Sequence, residues 1–498
     1  MPNTTPQAWR CSVCGYIHRE PQPPEWCPVC GAARSEFEPY VEQAPPAAAA
    51  PTQWRCLNCG YVHNGPTPPD ECPVCGAPAD RFEPLPDQAP HAAADGDAHN
   101  VVVLGAGIAG LSAVDALRQA APDAQITLVS KEPALPYYRL NLTRYLAGDI
   151  TADQLPIHPQ AWYDDQRVRL VRGGEVAALG LDHQAVELRD GTALPFDKLI
   201  LAIGAHPFVP PFLGANLDGV TTLRSTANAE HILDAASDAT PCVCIGGGLL
   251  GLETAGALAR RGAAVTLLEG HEWLMPRQLN RKAGELLGRH VAAMGITVRK
   301  QARTQEILGN ERVAAVQLDD GATVPAELVV IATGVRPNSY LARRAGLEVN
   351  KGVVVDNLLY TSHPHVLAAG DVAEHRGTLY GAWGASQFQG SIAGMNAAGL
   401  GTEFGGIPRS NTLKVLGLDL LSIGQFEPED ASFHVIEREA DGRYARFVFR
   451  DAHLVGAILL GDTAAASPLK KAVETRADFS GLLKLRPTAD DVVGHLAG

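Results

Sequence analysis

Eight of the ten cysteines in this 498-residue chain form one four-cysteine pattern twice. The first set is Cys11, Cys14, Cys27 and Cys30, and the second is Cys56, Cys59, Cys72 and Cys75. Each reads C-x2-C, twelve residues, C-x2-C, and the copies lie 45 residues apart. At that offset Trp9 matches Trp54, Gly15-Tyr16 matches Gly60-Tyr61, and Phe37-Glu38-Pro39 matches Phe82-Glu83-Pro84. This is a tandem duplication of one small unit. Four thiolates at this spacing surround one metal ion tetrahedrally, and both zinc and iron accept that ligand set. Iron would make this end of the chain an electron carrier; zinc would make it a structural or docking element. His18 and His63 recur in the two copies, but four thiolates already satisfy the metal.

A second chemistry follows the modules. Val101-Val102-Val103-Leu104 reads as a buried parallel strand, then Gly105, Gly107 and Gly110 form G-x-G-x-x-G ahead of an apolar-periodic helix. The glycines permit a tight turn and close approach of a pyrophosphate to the positive helix N-terminus. The pattern returns at Cys242-Val243-Cys244-Ile245, followed by Gly246, Gly248, Gly251 and a helix to Arg261. The next strand, Val265 to Leu268, ends at Glu269, placed to accept adenosine ribose hydroxyls and to repel a 2′-phosphate. Two such fingerprints predict two dinucleotide sites and favour NADH as the donor. At the equivalent place in the first unit, Ser130-Lys131-Glu132 departs from the pattern. Either Glu132 serves that ribose or main-chain groups do.

Positioning this chemistry requires about three domains, which 498 residues allow. Apolar residues make up 46%, enough for sizeable cores. No run of about 18 apolar residues occurs, so no membrane span is expected. Nor is there a signal-peptide pattern at the start, and paired CxxC motifs then favour metal binding in a reducing cytoplasm. Residues 1–98 carry 5 basic and 12 acidic side chains, net −7, half of the chain's −14. Phosphates would repel such a front end, which argues against nucleic acid. It suits docking on a basic protein surface, and equally the solubility of a small domain. The segments EQAPPAAAAP (42–51) and PLPDQAPHAAADGDAH (84–99) read as spacers. A module of some 30–35 residues cannot bury a stabilising core alone, so its metal must supply folding free energy.

Resemblances sharpen this reading. W-R-C-x-x-C-G-Y, the C-P-V-C-G knuckle and F-E-P together resemble the short rubredoxin modules of rubrerythrins. Ala332-Thr333-Gly334 after an apolar strand, and T-S-H-P-H-V-L-A-A-G-D ending at Asp371, resemble the pyridine nucleotide-disulfide oxidoreductase family. Within it, Leu135-Pro136-Tyr137-Tyr138-Arg139 and Ala369-Gly370-Asp371-Val372-Ala373-Glu374 look most like the NADH:rubredoxin reductases. The resemblance implies an α/β chain: two Rossmann-like domains of the glutathione-reductase type and a C-terminal α+β domain, preceded by two rubredoxin-like modules. It implies modules at 1–42 and 53–86 with linkers 43–52 and 87–98. FAD binding would fall to 99–213 with 335–405, NAD binding to 214–334, and the C-terminal domain to 406–498. Implied FAD contacts are Gly105, Gly107, Gly110, Glu132, Arg139, Gly204, Gly370 and Asp371, with Asp371 on the ribityl chain. Implied NAD contacts are Gly246, Gly248, Gly251, Glu269 and Gly334. Related reductases pair a Lys near the flavin with a Glu on the first NAD-domain helix; Arg144 and Glu253 occupy those positions, and an Arg keeps the ion pair but not the Lys point-charge geometry.

One omission matters. Disulfide-reducing and peroxidase branches of that family carry a reactive cysteine early in the FAD domain, whereas Tyr137 to Leu146 contains none. Cys242 and Cys244 lie on a buried strand and read as small apolar residues. NADH delivers two electrons as a hydride, a tetrathiolate iron accepts one, and flavin converts between the two. The expected function is therefore an NADH-dependent FAD reductase feeding its own rubredoxin-type irons. An external protein acceptor would follow: a flavodiiron protein, a rubrerythrin-type peroxidase or a monooxygenase. Two alternatives stay open. One is a flavoprotein donor for nitrite or nitrate reductase with zinc-ribbon docking modules. The other is an NADH oxidase acting on oxygen.

Overall fold

The computed structural model describes residues 100–406 and 410–497. In the first 99 residues it describes only 8–11, 17–18, 22–26, 33–40, 53–56, 62–64, 67–68, 70, 79 and 82–85. Within the first module, Ala8–Cys11 lies between Ile17–His18 and Phe37–Tyr40 and runs antiparallel to both. Cys11 is paired with Phe37 in that ladder. In the second, Gln53–Cys56 takes the central place between Val62–Asn64 and Phe82–Leu85. The equivalent phenylalanines, Phe37 and Phe82, are both buried. With so little chain, one aromatic ring is a large share of the apolar area a module can remove from water.

Beyond the modules, two parallel five-stranded sheets repeat one plan. The first has the order Val366–Ala368, Lys198–Leu201, Asn100–Leu104, Gln125–Ser130, Val168–Arg172. The second has the order Val220–Thr221, Leu328–Ile331, Pro241–Ile245, Ala264–Glu269, Thr297–Lys300. Val101, Val102 and Val103 are at most 1% exposed, as expected of a strand covered on both faces. Ala205–Pro207 pairs with Val335–Pro337, so the two crossings between the sheets run side by side.

The helix Ile108–Ala120 packs directly on Trp383–Ala397. Gly390 and Gly394 make this possible. A Cβ there would lie 2.1 Å from the Ala109 carbonyl oxygen and 2.2 Å from that of Ala113. The i, i+4 spacing puts both glycines on one face, so the backbones touch.

The C-terminal segment is a five-stranded antiparallel sheet of order Ser410–Val415, Leu418–Gly424, His453–Leu460, Arg443–Arg450, Phe433–Ala440. Alternate residues serve opposite faces. Leu420, Tyr444, Ile458 and Leu460 join the core beneath Leu249–Arg260 and Arg281–Ala293. Leu421, Phe447, Phe449 and Leu459 are covered by Ala466–Glu474 and Ala489–Ala497. Each buried leucine contributes about 1.5–3 kcal/mol. No helix among the described residues is long and apolar enough to cross a membrane.

Candidate functional site

The first glycine-rich loop divides its glycines by task. A Cβ at Gly105 (φ +101°) would lie 2.2 Å from Ala202 O, and one at Gly110 would lie 1.9 Å from Gly105 O. The chain's own backbone therefore demands those two. Gly107, which caps the helix, would meet nothing within 4 Å. Its open side faces unsatisfied helix N–H groups, a fit for a pyrophosphate.

The surrounding residues converge on the same place. Gly370 N–H donates to Gln389 Oε1 at 2.8 Å, and Ser386 Oγ donates to Asp371 Oδ1 at 3.2 Å. Both supports come from the helix that packs on Ile108–Ala120. Gln389 is 1% exposed and its Nε2 has no partner among the described residues, a buried donor suited to a bound polar group. Glu132 is held by Arg139 at 2.7 Å and accepts from Tyr137 Oη at 2.7 Å. Arg139 also donates to Tyr137 Oη at 2.9 Å and to the Arg224 carbonyl. Glu132 thus meets a ribose only as part of an ion pair. Burial pushes the Tyr137 hydroxyl up, so it stays protonated and donates. Lys131 stands apart, exposed and paired with Glu175 at 3.4 Å.

Arg224 was missed by the sequence reading. A Cβ at Gly204 (φ +63°) would lie 3.4 Å from its Nη2. Burial, then the neighbouring Arg139 cation, pull its pKa down, while Asp371 acts in the opposite direction. It brings a second cation to the cradle. It lies in neither motif; only the helix N-cap beside it, Ser225 accepting from Asn228 N–H at 3.2 Å, was readable.

The expected Arg144–Glu253 pair is not formed. Arg144 is exposed and makes no ion pair among the described residues. Glu253 Oε1 instead accepts from Leu416 N–H at 2.9 Å. Leu416 sits at the tip of the C-terminal hairpin, and its side chain fills a notch where a Cβ on Gly256 would lie 2.1 Å from Cδ2. His290 Nε2 lies 3.0 Å from Leu416 O. Glu253 therefore anchors the C-terminal domain. Burial raises its pKa, partly offset by Leu416 N–H.

The second cradle repeats the first. Cβ atoms at Gly246 (φ +116°) and Gly251 would lie 2.4 Å from Ala332 O and 1.9 Å from Gly246 O, while Gly248 faces open space. Gly334 (φ +110°) also has nothing near its Cβ position, and its carbonyl accepts from Phe208 N–H at 2.9 Å. Glu269, 6% exposed, accepts from Gly247 N–H at 2.9 Å and from His271 N–H at 2.8 Å. The acid is thus oriented on the loop whose nucleotide it would read.

Of the expected metal ligands, Cys11 and Cys56 end the strands Ala8–Cys11 and Gln53–Cys56. Cys14, Cys27, Cys30, Cys59, Cys72 and Cys75 lie outside the described residues. Cys242 and Cys244 are buried in the second sheet, and burial pushes the Cys242 thiol up to about 11 and the Cys244 thiol higher. Neither is a thiolate at neutral pH.

The chain belongs to the pyridine nucleotide-disulphide oxidoreductase family, whose model matches residues 99–390. Residues 410–477 match the rubredoxin NAD+ reductase C-terminal domain, and residues 9–38 and 54–83 each match the rubredoxin-like domain of rubrerythrin. The fold and cradles are those of that oxidoreductase family, and the rubredoxin-like domains imply iron. The chain is 28% identical to NADH-rubredoxin oxidoreductase of Clostridium acetobutylicum over 77% of its own length and 97% of the relative. The crystal structure of NADH:rubredoxin oxidoreductase from Clostridium acetobutylicum superposes with a TM-score of 0.68 at 26% identity, covering 80% of this chain and 99% of that one. This chain is also 34% identical to nitrite reductase [NAD(P)H] of Bacillus subtilis over 77% of its length. There it spans only 48% of the relative, about half its length.

Proposed function

We propose that this protein takes electrons from NADH onto FAD and passes them singly to iron in its own two rubredoxin-like modules, from which an external redox protein draws them. One observation carries the reading. Two rubredoxin-like matches share a chain with a rubredoxin reductase C-terminal domain, and the flavoprotein part offers no reactive thiol as an alternative acceptor. FAD, when bound, supplies hydride acceptance and one-electron release.

The chain's residues do the rest. Residues 99–213 with 335–405 bind FAD, and 214–334 bind NADH. The N-terminus at Gly107 takes the FAD pyrophosphate, and Asp371, steadied by Ser386, takes the ribityl chain. Gly204 and Arg139 complete the cradle, with Glu132 held by Arg139. The helix after Gly248 takes the NADH pyrophosphate and Glu269 the adenosine ribose. Cys11, Cys14, Cys27 and Cys30 hold one iron, and Cys56, Cys59, Cys72 and Cys75 the other. Flavodiiron proteins, rubrerythrin-type peroxidases and monooxygenases are the acceptor classes this chemistry suits.

The test is metal analysis with a visible spectrum of the intact protein. Two irons per chain should add charge-transfer bands that NADH bleaches along with the flavin. Two zincs, or iron bands that persist under excess NADH, would exclude the relay. The zinc outcome would instead favour a flavoprotein donor for a nitrite or nitrate reductase, with the modules as zinc-ribbon docking arms.

A further inference from the structure

The two crossings between the parallel sheets are stitched together by side chains outside both glycine-rich loops. Asn338 N–H donates to Gly204 O at 2.9 Å, and Phe208 N–H donates to Gly334 O at 2.9 Å. These bonds frame the short ladder of Ala205–Pro207 with Val335–Pro337. Two side chains then close it. Asn338 Nδ2 donates to Ile203 O at 2.6 Å, and Thr333 Oγ1 donates to Phe208 O at 2.6 Å. With its amide nitrogen so committed, Asn338 presents Oδ1 to His206, whose Nδ1 lies 2.7 Å away. The Arg336 guanidinium lies over the Phe208 ring, 4.2 Å from its centroid.

What these bonds hold gives them a consequence. In the first cradle a Cβ on Gly105 would lie 2.2 Å from Ala202 O and 3.0 Å from Ile203 Cα, so Ala202-Ile203 is the seat of that glycine loop. In the second, a Cβ on Gly246 would lie 2.4 Å from Ala332 O and 3.4 Å from Thr333 N, so Ala332-Thr333 is the matching seat. Each seat is therefore bonded to the opposite crossing, Ile203 through Asn338 and Thr333 through Phe208. Two extended crossings would by themselves make a hinge, because a few dihedral angles absorb a domain rotation. Here a rotation must break bonds between half-buried residues and leave a carbonyl unsatisfied.

We infer that Thr333 and Asn338 are positioning residues that lock the two cradles in one register, and so set the distance over which NADH passes its hydride to FAD. The inference rests on the reading that 99–213 with 335–405 hold FAD and 214–334 hold NADH. The reaction itself balances as before: one hydride, a proton with two electrons, leaves NADH as NAD+ and reduces FAD. Both residues act through the backbone of the opposite crossing. A slip of ~1 Å in the register would slow transfer on the order of a hundredfold while leaving each nucleotide its own contacts.

The test compares Thr333→Val, which keeps the shape and removes the hydroxyl, with Thr333→Ser, which keeps the hydroxyl. In rapid mixing of the FAD-loaded proteins with saturating NADH, flavin bleaching should slow about tenfold or more in Thr333→Val. The half-saturating NADH concentration should not change, and Thr333→Ser should restore the rate. Asn338→Asp keeps an acceptor for His206 but sets a carboxylate against Ile203 O. It should behave like Thr333→Val, and it replaces that variant should Thr333→Val fail to fold. A second readout needs no cofactor. In the apoprotein, amide hydrogen exchange at Phe208 and Asn338 should quicken about tenfold in Thr333→Val and keep the native rate in Thr333→Ser. A rate loss matched by weaker NADH binding, an equal loss in Thr333→Ser, or native exchange in Thr333→Val overturns the inference. Failure of the parent reading is a different result: a native flavin that NADH does not bleach would sink that reading, and the positioning role with it, even where exchange showed the crossings clasped.

Discussion

Replacing Gly394 with alanine tests whether the FAD cradle is set by how closely two helices approach. Trp383–Ala397 passes Ile108–Ala120 where a Cβ on Gly394 would lie 2.2 Å from the Ala113 carbonyl oxygen. Real Cβ atoms keep at least 3.0 Å, so the backbones must part by about 0.8 Å. A helical carbonyl cannot rotate away as a side chain could. Overpacking of this kind costs about 1–3 kcal/mol, which lowers Tm by about 2–12 °C for a domain of this size. The shifted helix also carries Ser386 and Gln389, the supports of Asp371 and Gly370. FAD affinity should therefore fall about tenfold, equivalent to ~1.4 kcal/mol. Thermal melts with and without FAD, and a fluorescence titration of the apoprotein with FAD, measure both quantities. The control is Gly494→Ala in the helix Ala489–Ala497, where a Cβ meets nothing. Alanine there should stabilise by about 0.5–1 kcal/mol. If Gly394→Ala behaves like Gly494→Ala in Tm and FAD binding, close helix packing does not set the cradle.

Three further outcomes are expected. Glu269→Gln replaces one carboxylate acceptor by a donor facing Gly247 N–H or His271, and should weaken NADH binding on the order of tenfold while narrowing the preference over NADPH; unchanged affinity for both nucleotides in calorimetry would remove Glu269 from the ribose site. Burial raises the Glu253 pKa, so its contribution to stability is full below the unfolded value and is lost as pH rises through the folded one. Glu253→Gln keeps an acceptor for Leu416 N–H and should gain Tm relative to the native protein as pH rises above the ordinary glutamate value of ~4.3; a relative loss of Tm on that rise would reverse the sign argued here. Deleting residues 1–90 should leave a yellow protein whose flavin NADH still bleaches, but whose reduction of cytochrome c falls sharply; undiminished reduction would mean that the modules do not carry the electrons.

What was legible in the sequence was what is local. Gly105, Gly110, Gly246 and Gly251 are fixed by steric demands within a few residues of their own loops and by the strand beside them, so spacing alone reveals them. The surroundings of Glu253 depend on Leu416, 163 residues away, brought in by a hairpin whose docking no motif encodes. The same holds for Arg224, which reaches the cradle only because Gly204 approaches it in space. Arg144 illustrates the limit of carrying a position over. It has the right place in the chain, yet its guanidinium lies in solvent while its expected partner accepts from a backbone N–H. For Glu132, the choice between its side chain and main-chain groups as the ribose contact turns on an ion pair with Arg139 that no motif encodes.

The relay within one chain is tested most directly by rapid mixing of the intact protein with excess NADH, following iron reduction over a wide range of protein concentration. A tethered module meets the flavin at an effective concentration set by its linker, about millimolar for a short flexible spacer. Iron reduction should therefore be first order, with a rate constant independent of protein concentration and little changed by ~0.5 M salt, where charges are screened within a few Å. With the flavoprotein part and the modules supplied as separate pieces, the rate should rise with module concentration and fall in the same salt. A rate constant that grows with the concentration of the intact protein would show electrons crossing between molecules, and would contradict the intramolecular relay.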